Sequence, residues 1–397
     1  MKNYIIDYKF QKILMMPKIL FITDSIPTKL WLRKHHFNYY KKKKFILNIL
    51  SIAGFTRQKY YKYTKKLQTI KFHDCNSKIK ISSYLNNNIK KKTLVFKQYN
   101  KNIKTNFIDD ILKKKGIDTA YISEENNLIK KKNIFEIFKI FLLSPFLFID
   151  LLKKKILYKE NQKLHYKVVF TAGKISEKKY ISKNTKIIKI HHYDFEKFKE
   201  AKPFKFSKKY GVFLSPATFN PDVYDRNPGY LNKLGGNFNN KIYLKNINKF
   251  LHSIEKISRN KILVAQHPKD DENLEKLIGF KCFKNKTSEL VKNSEFVLCF
   301  DSISFQYAIL SKKPIIFLTS EYLAPLVKRD ILTISDFFKK DPIAIEDKIS
   351  STKFKKSLLF KLSIYKKYIK LFLSNTDKKK QNKKRSKIIS DYIEKFY

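Results

Sequence analysis

The sequence predicts an α/β protein made of two successive parallel-sheet units, joined by a linker and closed by C-terminal helices. Short runs that are apolar throughout alternate with helical segments of about ten residues, as in parallel sheets covered by helices on both faces. A lysine-rich segment at 199–209, which contains Pro203 and lacks periodicity, interrupts this alternation and is predicted to be the interdomain linker. The 397 residues suffice for two cores of ordinary size.

The composition indicates a folded protein and argues against a nucleic-acid partner. Hydrophobic residues make up 43% of the chain and aromatic residues 15%, which is ample for packed cores. The formal net charge of +52 comes from 86 basic residues, of which only six are arginine. Proteins that read bases or grip nucleic-acid phosphates favour arginine, whose planar fork matches these groups. We therefore expect the positive charge to attract a phosphorylated donor or anionic lipid and not nucleic acid.

In the first half, residues 1–15 are expected to be dispensable, because the paired Met15 and Met16 offer a later start. The basic stretch at 39–54 is predicted to be a helix that ends at Gly54, since its leucines and isoleucines fit one buried face. Beyond it the chain has a β-α-β rhythm. The predicted strands are 18–23, 93–96, 166–174 and 185–198, and 106–123 is predicted to form a helix, a turn at Gly116 and a strand.

The segment at 133–159 is apolar and leaves two alternatives open. Its uninterrupted apolar core, residues 140–149, has ten residues, whereas a bilayer-spanning helix needs about 20. It is therefore either a buried helical pair kinked at Pro145 or an amphipathic patch, flanked by Lys153–Lys155, on an anionic membrane surface. The N-terminus lacks a signal-peptide pattern, and the three cysteines have no disulfide spacing. These features predict a cytoplasmic protein, and the second alternative for 133–159 would make it peripheral at the inner face of the plasma membrane.

The second half repeats the alternation more clearly. Its predicted strands are 210–216, 261–268, 295–300 and 314–320, separated by helices at 243–258, 286–294 and 302–313. The tail is predicted to be helical and interrupted by a basic loop at 378–387. The predicted domains are an N-terminal domain at 1–200, a second domain at 208–350, and C-terminal helices at 351–397.

Polar side chains follow three strands of the predicted second sheet, at the edge where parallel sheets bind ligands. Helix N-termini at that edge present free N–H groups and a partial positive charge, so hydroxyl and lysine side chains there favour an anion. Capping and packing are the competing roles for such residues. We expect a site for a nucleotide monophosphate or diphosphate, with the following donor-binding residues: His267, Pro268, Lys286, Thr287, Ser288, Asp301, Ser302 and Ser304.

Residues 165–320 resemble a bacterial family of O-antigen and other surface-polysaccharide biosynthesis proteins and, more distantly, the HP-containing sialyltransferase-type glycosyltransferases. The pattern has a strand ending in His-Pro, a "K(T/S)xELV" helix start, a strand ending before serine, and "KKPIIFLT". Ser215 stands where the family pattern has an acidic residue. The matching positions are His267, Pro268, Lys286, Thr287, Glu289, Leu290, Val291, Ser302 and 313–319.

The resemblance implies a GT-B-like glycosyltransferase with two Rossmann-like domains facing a cleft. It implies that the domain at 1–200 is the acceptor-side domain and that the domain at 208–350 binds a nucleotide-sugar donor as substrate, with no cofactor and no metal. It implies a carbohydrate or lipid-linked acceptor in the assembly of O-antigen, lipopolysaccharide or capsule. Asp24, after the first strand, is the expected catalytic base, with His191, His192 and Asp194 as alternatives. A polyol-phosphate or phosphosugar transferase of the same fold, and a non-catalytic nucleotide- or polysaccharide-binding member, remain alternatives.

Overall fold

A computed structural model describes residues 17–25, 27–56, 71–99, 103–124, 166–180, 184–216, 240–268, 274–323, 325–377 and 381–397. These residues form two compact units. Unit 1 contains the described residues from 17 to His191 and also Asn375–Tyr397. Unit 2 contains the described residues from His192 to Ser374.

Unit 1 is built on a parallel sheet, in which the described residues form seven strands in the order β3-β2-β1-β4-β5-β6-β7. Every strand pairs in parallel with its neighbours, and β1 lies in full register between β2 and β4. The inner strands are apolar because both faces are covered. Their bounds are β1 Lys18–Thr23, β2 Ile46–Ser51, β3 Lys71–Asp74, β4 Thr93–Gln98, β5 Thr119–Glu124, β6 Val168–Ala172 and β7 Lys186–Ile190.

Helices pack two separate apolar cores onto the faces of this sheet. One core joins Phe21 and Phe96 to aromatic residues of α2 and to Ile389 and Ile393 of the C-terminal helix. The other core joins residues of β1 and β4, among them Leu20, to α4 and α5. The helices are α1 Lys29–Lys34, α2 Phe37–Lys42, α3 Ala53–Thr56, α4 Lys78–Asn88, α5 Asn106–Lys114, α6 Gly173–Lys179 and, from the end of the chain, α15 Arg385–Phe396.

Unit 2 has a second parallel sheet, whose described strands run in the order β10-β9-β8-β11-β12-β13. The central strand β8 pairs with β9 on one side and with β11 on the other. The strands are β8 Tyr210–Leu214, β9 Lys261–Gln266, β10 Cys282–Lys284, β11 Val297–Cys299, β12 Ile315–Thr319 and β13 Ile343–Ala344.

The helices of unit 2 cover both faces of its sheet. The long helix α8 packs Tyr243, Ile247 and Leu251 against Val264 and Leu298 of the sheet. The helices are α7 Tyr193–Glu200, α8 Asn240–Ser258, α9 Leu274–Ile278, α10 Thr287–Lys292, α11 Gln306–Ser311, α12 Pro325–Phe337, α13 Ser351–Leu358 and α14 Leu362–Tyr368, which continues as a π-helix at Ile369–Leu373.

The predicted architecture of two parallel-sheet units is confirmed, and two element predictions are wrong. The segment 185–198, predicted to be a strand, forms β7 only at Lys186–Ile190, because His192 caps the helix α7, which begins at Tyr193. The stretch 39–54, predicted to be a single helix, contains the end of α2, a turn with Lys44 at φ 62°, the strand β2, and the start of α3. The segment 199–209, expected to link the domains, contains the end of α7 and then packs within unit 2: the Phe204 N–H donates to the Glu289 carbonyl at 3.0 Å, and Lys292 Nζ donates to the Ala201 carbonyl.

The predictions for the apolar segment 133–159 and for residues 1–15 lie outside the described residues, as do the first three residues of the basic run at 378–387. Among the helices that the structure describes, none combines the length and hydropathy that crossing a bilayer requires.

Candidate functional site

The strand order gives each sheet a switch point, where neighbouring strands send their connections in opposite directions. In unit 2 this point lies between β8 and β11, because the chain runs outward through β9 and β10 before it returns to β11. Ser215 follows β8, and Asp301 and Ser302 follow β11. Ligands of such sheets bind at the carboxyl ends of the strands at the switch point. Of the predicted donor-binding residues, Asp301 and Ser302 lie nearest to it.

His267 follows β9, which lies on the other side of β8 from β11. It lies at the same level of the carboxyl edge as Asp301. Leu214 of β8 pairs with Ala265 on one side and with Cys299 on the other. His267 and Asp301 each follow these partners by two residues, so both lie at the same level of the carboxyl edge. Two strand spacings separate them, which is about 10 Å between backbones. His267 is half-buried and Pro268 is exposed.

The turn after β11 is closed by the side chain of Ser302. Its Oγ accepts the N–H of Ser304 at 3.4 Å, and its carbonyl accepts the N–H of Phe305 at 3.1 Å. These bonds cap the 3₁₀ turn Ile303–Phe305, which leads into α11. A hydroxyl that accepts one hydrogen bond keeps its own hydrogen for donation. The capping role and a ligand-binding role of Ser302 are therefore compatible.

The start of α10 brings together three predicted donor-binding residues that differ in their surroundings. Lys286 is exposed, and its Nζ lies 5.7 Å from the centre of the Phe204 ring. Ser288 is fully buried, and its hydroxyl donates to Glu289 Oε2 at 2.8 Å. Thr287 is half-buried. Ser288 is thus inaccessible and paired with its neighbour, whereas Lys286 and Thr287 lie at the accessible edge.

Asp24 follows β1, at the switch point of unit 1 between β1 and β4. Asp24 is buried, with 8% of the residue exposed, and Ser25 Oγ donates to its Oδ1 at 3.4 Å. The Ser25 N–H donates to Thr23 Oγ1 at 3.1 Å, which shapes the turn after the strand. Gln98 ends the neighbouring strand β4. Asp24 therefore occupies the position in unit 1 that corresponds to Ser215 in unit 2.

The alternative bases are divided between the units; the two histidines are buried and Asp194 is half-buried. His191 belongs to unit 1, whereas His192 and Asp194 belong to unit 2. The Asp194 N–H donates to His192 Nδ1 at 3.1 Å, and the Tyr307 hydroxyl donates to Asp194 Oδ1 at 2.7 Å. Burial, and then the charge of Asp194, raises the pKa of Tyr307 well above its ordinary value. This network joins α7 to α11, which gives His192 and Asp194 a structural role in unit 2.

Sequence reasoning missed two groups at the edge of unit 2. Ser215 is almost fully buried, and its N–H donates to the Ala265 carbonyl at 3.1 Å. Ser320, after β12, donates to Glu346 Oε1 at 2.5 Å, and its Oγ accepts the Tyr322 N–H. The serine that follows "IIFLT" was a usable signal for Ser320. Glu346 had none, because it follows a strand of only two residues.

A buried charge cluster lies at the carboxyl end of β5 in unit 1. Arg385 is fully buried and its Nη1 donates to Glu124, whose other oxygen accepts Lys34 Nζ at 2.9 Å. Burial, and then the charge of Arg385, lowers the pKa of His36 to about 3. Burial, and then the charge of Lys34, lowers the pKa of His35 well below its ordinary value. Both histidines are therefore neutral at physiological pH.

Within the part of the chain that the structure describes, no group of three His, Cys, Asp or Glu side chains is arranged to hold a metal ion. The expectation of a metal-independent reaction stays a prediction.

No protein-family model and no curated protein sequence matches the chain. Solved structures do match it. CalG4, the calicheamicin glycosyltransferase, matches with a TM-score of 0.50 and 8% identity over 96% of this chain and 98% of that one. The UDP-GlcNAc 2-epimerase from Neisseria meningitidis bound to UDP-GlcNAc has a TM-score of 0.46 and 14% identity over 95% and 100%. Acinetobacter baumannii MurG has a TM-score of 0.45 and 8% identity over 95% and 99%.

The likeness to CalG4 extends over nearly the whole of both chains, so it applies to both sheets. Together with the strand orders it establishes the fold class, two Rossmann-like parallel-sheet units of the GT-B type. An identity of 8% is informative about the fold and not about the substrate.

Proposed function

We propose that this chain is a glycosyltransferase that binds a nucleotide-sugar at the carboxyl edge of unit 2. In the proposal it transfers the sugar to a carbohydrate or lipid-linked acceptor in the assembly of O-antigen, lipopolysaccharide or capsule. The observation that carries it is the placement of the Asp301–Ser302 turn at the switch point, with His267 at the same level two strands away. The resemblance of residues 165–320 to surface-polysaccharide proteins supports the pathway.

In the donor site, His267 and Ser302 donate hydrogen bonds to phosphate oxygens. Both groups extend from the sheet edge on either side of the end of β8, where a phosphate would accept from both. Lys286 and Thr287 add a positive charge and a second hydroxyl at the start of α10. The Asp301 carboxylate would repel phosphate, so it is assigned to accept hydrogen bonds from hydroxyl groups of the donor.

In the transfer step, Asp24 is the proposed general base. Its carboxylate takes the proton of the acceptor hydroxyl while the acceptor oxygen forms a bond to the anomeric carbon of the sugar. The bond from that carbon to the phosphate oxygen breaks, and the nucleotide leaves with the electron pair. Hydrogen-bond donors of the protein, fixed around the phosphate, stabilise the negative charge that develops on it. What supports this role is the position of Asp24 at the switch point of unit 1 and its burial.

The proposed location is the cytoplasm, with peripheral attachment at the inner face of the plasma membrane. Nucleotide-sugars are made in the cytoplasm, and lipid-linked acceptors lie at the membrane. The lysine excess of the chain supports attraction to anionic lipid.

Ligand-induced melting with CMP-, UDP-, GDP- and dTDP-sugars tests the proposal, because a ligand that binds the folded state raises the melting temperature. We expect one nucleotide class to stabilise the protein. His267→Ala should then weaken nucleotide affinity by roughly 10- to 150-fold, the loss of one hydrogen bond to a charged group. Ser302→Ala should weaken it less. The matched control is His252→Ala, which removes a largely exposed histidine of α8 in the same unit.

Two results would contradict the proposal. One is the absence of stabilisation by every nucleotide-sugar. The other is unchanged nucleotide affinity in His267→Ala and in Ser302→Ala, which would return both residues to capping and packing. Turnover with labelled donor separates the chemical alternatives, because a polyol-phosphate transferase delivers phosphorus to the acceptor and a glycosyltransferase delivers sugar alone. A non-catalytic binding protein would bind the nucleotide without turnover.

A further inference from the structure

A basic elbow joins α13 and α14 in unit 2. From residue 348 to residue 376 the chain carries eight lysines and no acidic residue. The elbow, defined here as residues 353–370, comprises most of α13, the connection at 359–361, α14 and the first residues of the π-helix. Its net charge is therefore strongly positive over a short surface.

The tip of the elbow exposes two leucines. Leu359 is 73% exposed and Leu362 is 46% exposed. Between them, Phe360 turns inward and stacks on Tyr365 with 4.8 Å between ring centres. The Tyr365 hydroxyl donates to the Lys313 carbonyl at 2.8 Å and so anchors the stack to the body of unit 2. Because side chains alternate along the extended connection, Leu359 and Lys361 point away from that anchor.

Lysines surround the tip, and the elbow contains no group to neutralise them. Among the described residues, two of these lysines contact a partner: Lys353 lies 3.5 Å from Asp347, and Lys367 lies over the Phe337 ring. All seven lysines of the elbow are exposed: Lys353, Lys355, Lys356, Lys361, Lys366, Lys367 and Lys370.

We infer that the elbow docks unit 2 onto an anionic membrane surface. Leu359 and Leu362 enter the boundary between headgroups and acyl chains, and the surrounding lysines pair with lipid phosphates. The residue types favour lipid over a protein partner, because protein interfaces are depleted in lysine and centred on buried tryptophan, tyrosine or arginine. The elbow presents leucine and lysine instead. This surface is separate from the carboxyl edge of the sheet, and the inference does not depend on the proposed function.

Cosedimentation with vesicles tests the inference on the full-length protein. We expect binding to vesicles of 30% phosphatidylglycerol in phosphatidylcholine, weak binding to pure phosphatidylcholine, and loss of binding as salt is raised. Lys355→Gln with Lys356→Gln should lower vesicle affinity about 30-fold, on the basis of about fivefold for each lysine near an anionic surface. Leu359→Ser with Leu362→Ser should lower it roughly tenfold.

Matched controls remove the same groups from elsewhere in unit 2. Lys245→Gln with Lys249→Gln removes two exposed lysines of α8, and Leu277→Ser with Leu332→Ser removes two leucines of 52% and 51% exposure. Both should bind vesicles as the unchanged protein does. Circular dichroism and melting temperature check that each variant is folded.

The outcomes separate the elbow from other basic surfaces. Loss of binding in both elbow variants and in neither control supports the inference. Absence of vesicle binding, or elbow variants that bind like their controls, would overturn it. Loss in the lysine variant with full binding by the leucine variant would also overturn it, because such a surface attracts acidic partners without entering a bilayer. As a direct probe, brominated lipid should quench the fluorescence of the tryptophan introduced by Leu359→Trp. It should not quench the fluorescence of the native Trp31 in unit 1.

Discussion

Unit 1 should lose stability on acidification because it buries neutral histidines. Burial and the charge of Arg385 lower the pKa of His36 from its ordinary value of 6.5 to about 3. A histidine whose pKa is depressed by folding stabilises the folded state above the ordinary pKa. That stability is lost as the pH falls below 6.5 toward the folded value. Between pH 7.5 and pH 5, His36 alone should cost about 2 kcal/mol of the free energy of unfolding of unit 1. His35 adds a loss in the same direction.

The single tryptophan of the chain makes this loss measurable for unit 1 by itself. Trp31 packs against His35 with 4.3 Å between ring centres, so its fluorescence reports on the unfolding of this region. The test is urea unfolding at pH 7.5 and pH 5, for the unchanged protein and for His36→Asn. Asparagine tolerates the left-handed backbone at this position, where φ is 54°, and does not titrate in this range.

We expect His36→Asn to retain about 2 kcal/mol of the stability that the unchanged protein loses on acidification. If the free energies of unfolding of the two proteins fall in parallel between pH 7.5 and pH 5, His36 is not buried as a neutral group, and the reasoning is refuted.

Three further predictions concern packing and buried polar contacts. Glu124→Gln should cost about 3–5 kcal/mol of the stability of unit 1, measured by tryptophan fluorescence in urea, because it removes the carboxylate that pairs with the fully buried Arg385. Gly211→Ala should destabilise unit 2 by about 1–3 kcal/mol, measured by hydrogen exchange of the sheet, because the added Cβ would lie 2.4 Å from the Phe296 ring. Tyr307→Phe should cost about 1–3 kcal/mol by the same measurement, because it removes the 2.7 Å bond to a carboxylate of α7.

The first two of these variants each have a control. Glu394→Gln breaks an exposed pair with Lys43 and should change stability by less than about 1 kcal/mol. Gly116→Ala meets no atom within 4 Å, so it should cost only the strain of a φ of 62°. Equal effects of a variant and its control would contradict the packing account at that position.

The strands were predictable from sequence wherever burial on both faces made them apolar throughout. KILFIT and KILVAQ form β1 and β9 as predicted. ILNILS at 46–51 was predicted to be helical because its leucine and isoleucine spacing also fits a helical face. It forms β2 instead, since α2 ends before the turn at Lys44 and an extended chain then pairs with β1.

Of the sequence features, the pattern of charged residues was the least informative about the structure. Arg385 lies in a run of lysines that predicted a solvated loop, yet it is fully buried. Its partner Glu124 is 261 residues away in sequence, so no local pattern could reveal the pair. The candidate site was partly predictable, because polar residues after parallel strands share one edge of a sheet. The order of the strands was not, and only that order places Ser215 at the centre of the edge, between His267 and Asp301.

The central claim is that a nucleotide-sugar binds at the carboxyl edge of unit 2. Hydrogen exchange with and without the nucleotide-sugar that best stabilises the protein tests it most directly, because protection is read segment by segment. The account predicts slower exchange at the end of β9 through His267, at the start of α10, and in the turn at Asp301–Ser304. Protection confined to unit 1, or the absence of protection in all three segments despite saturating ligand, would contradict it.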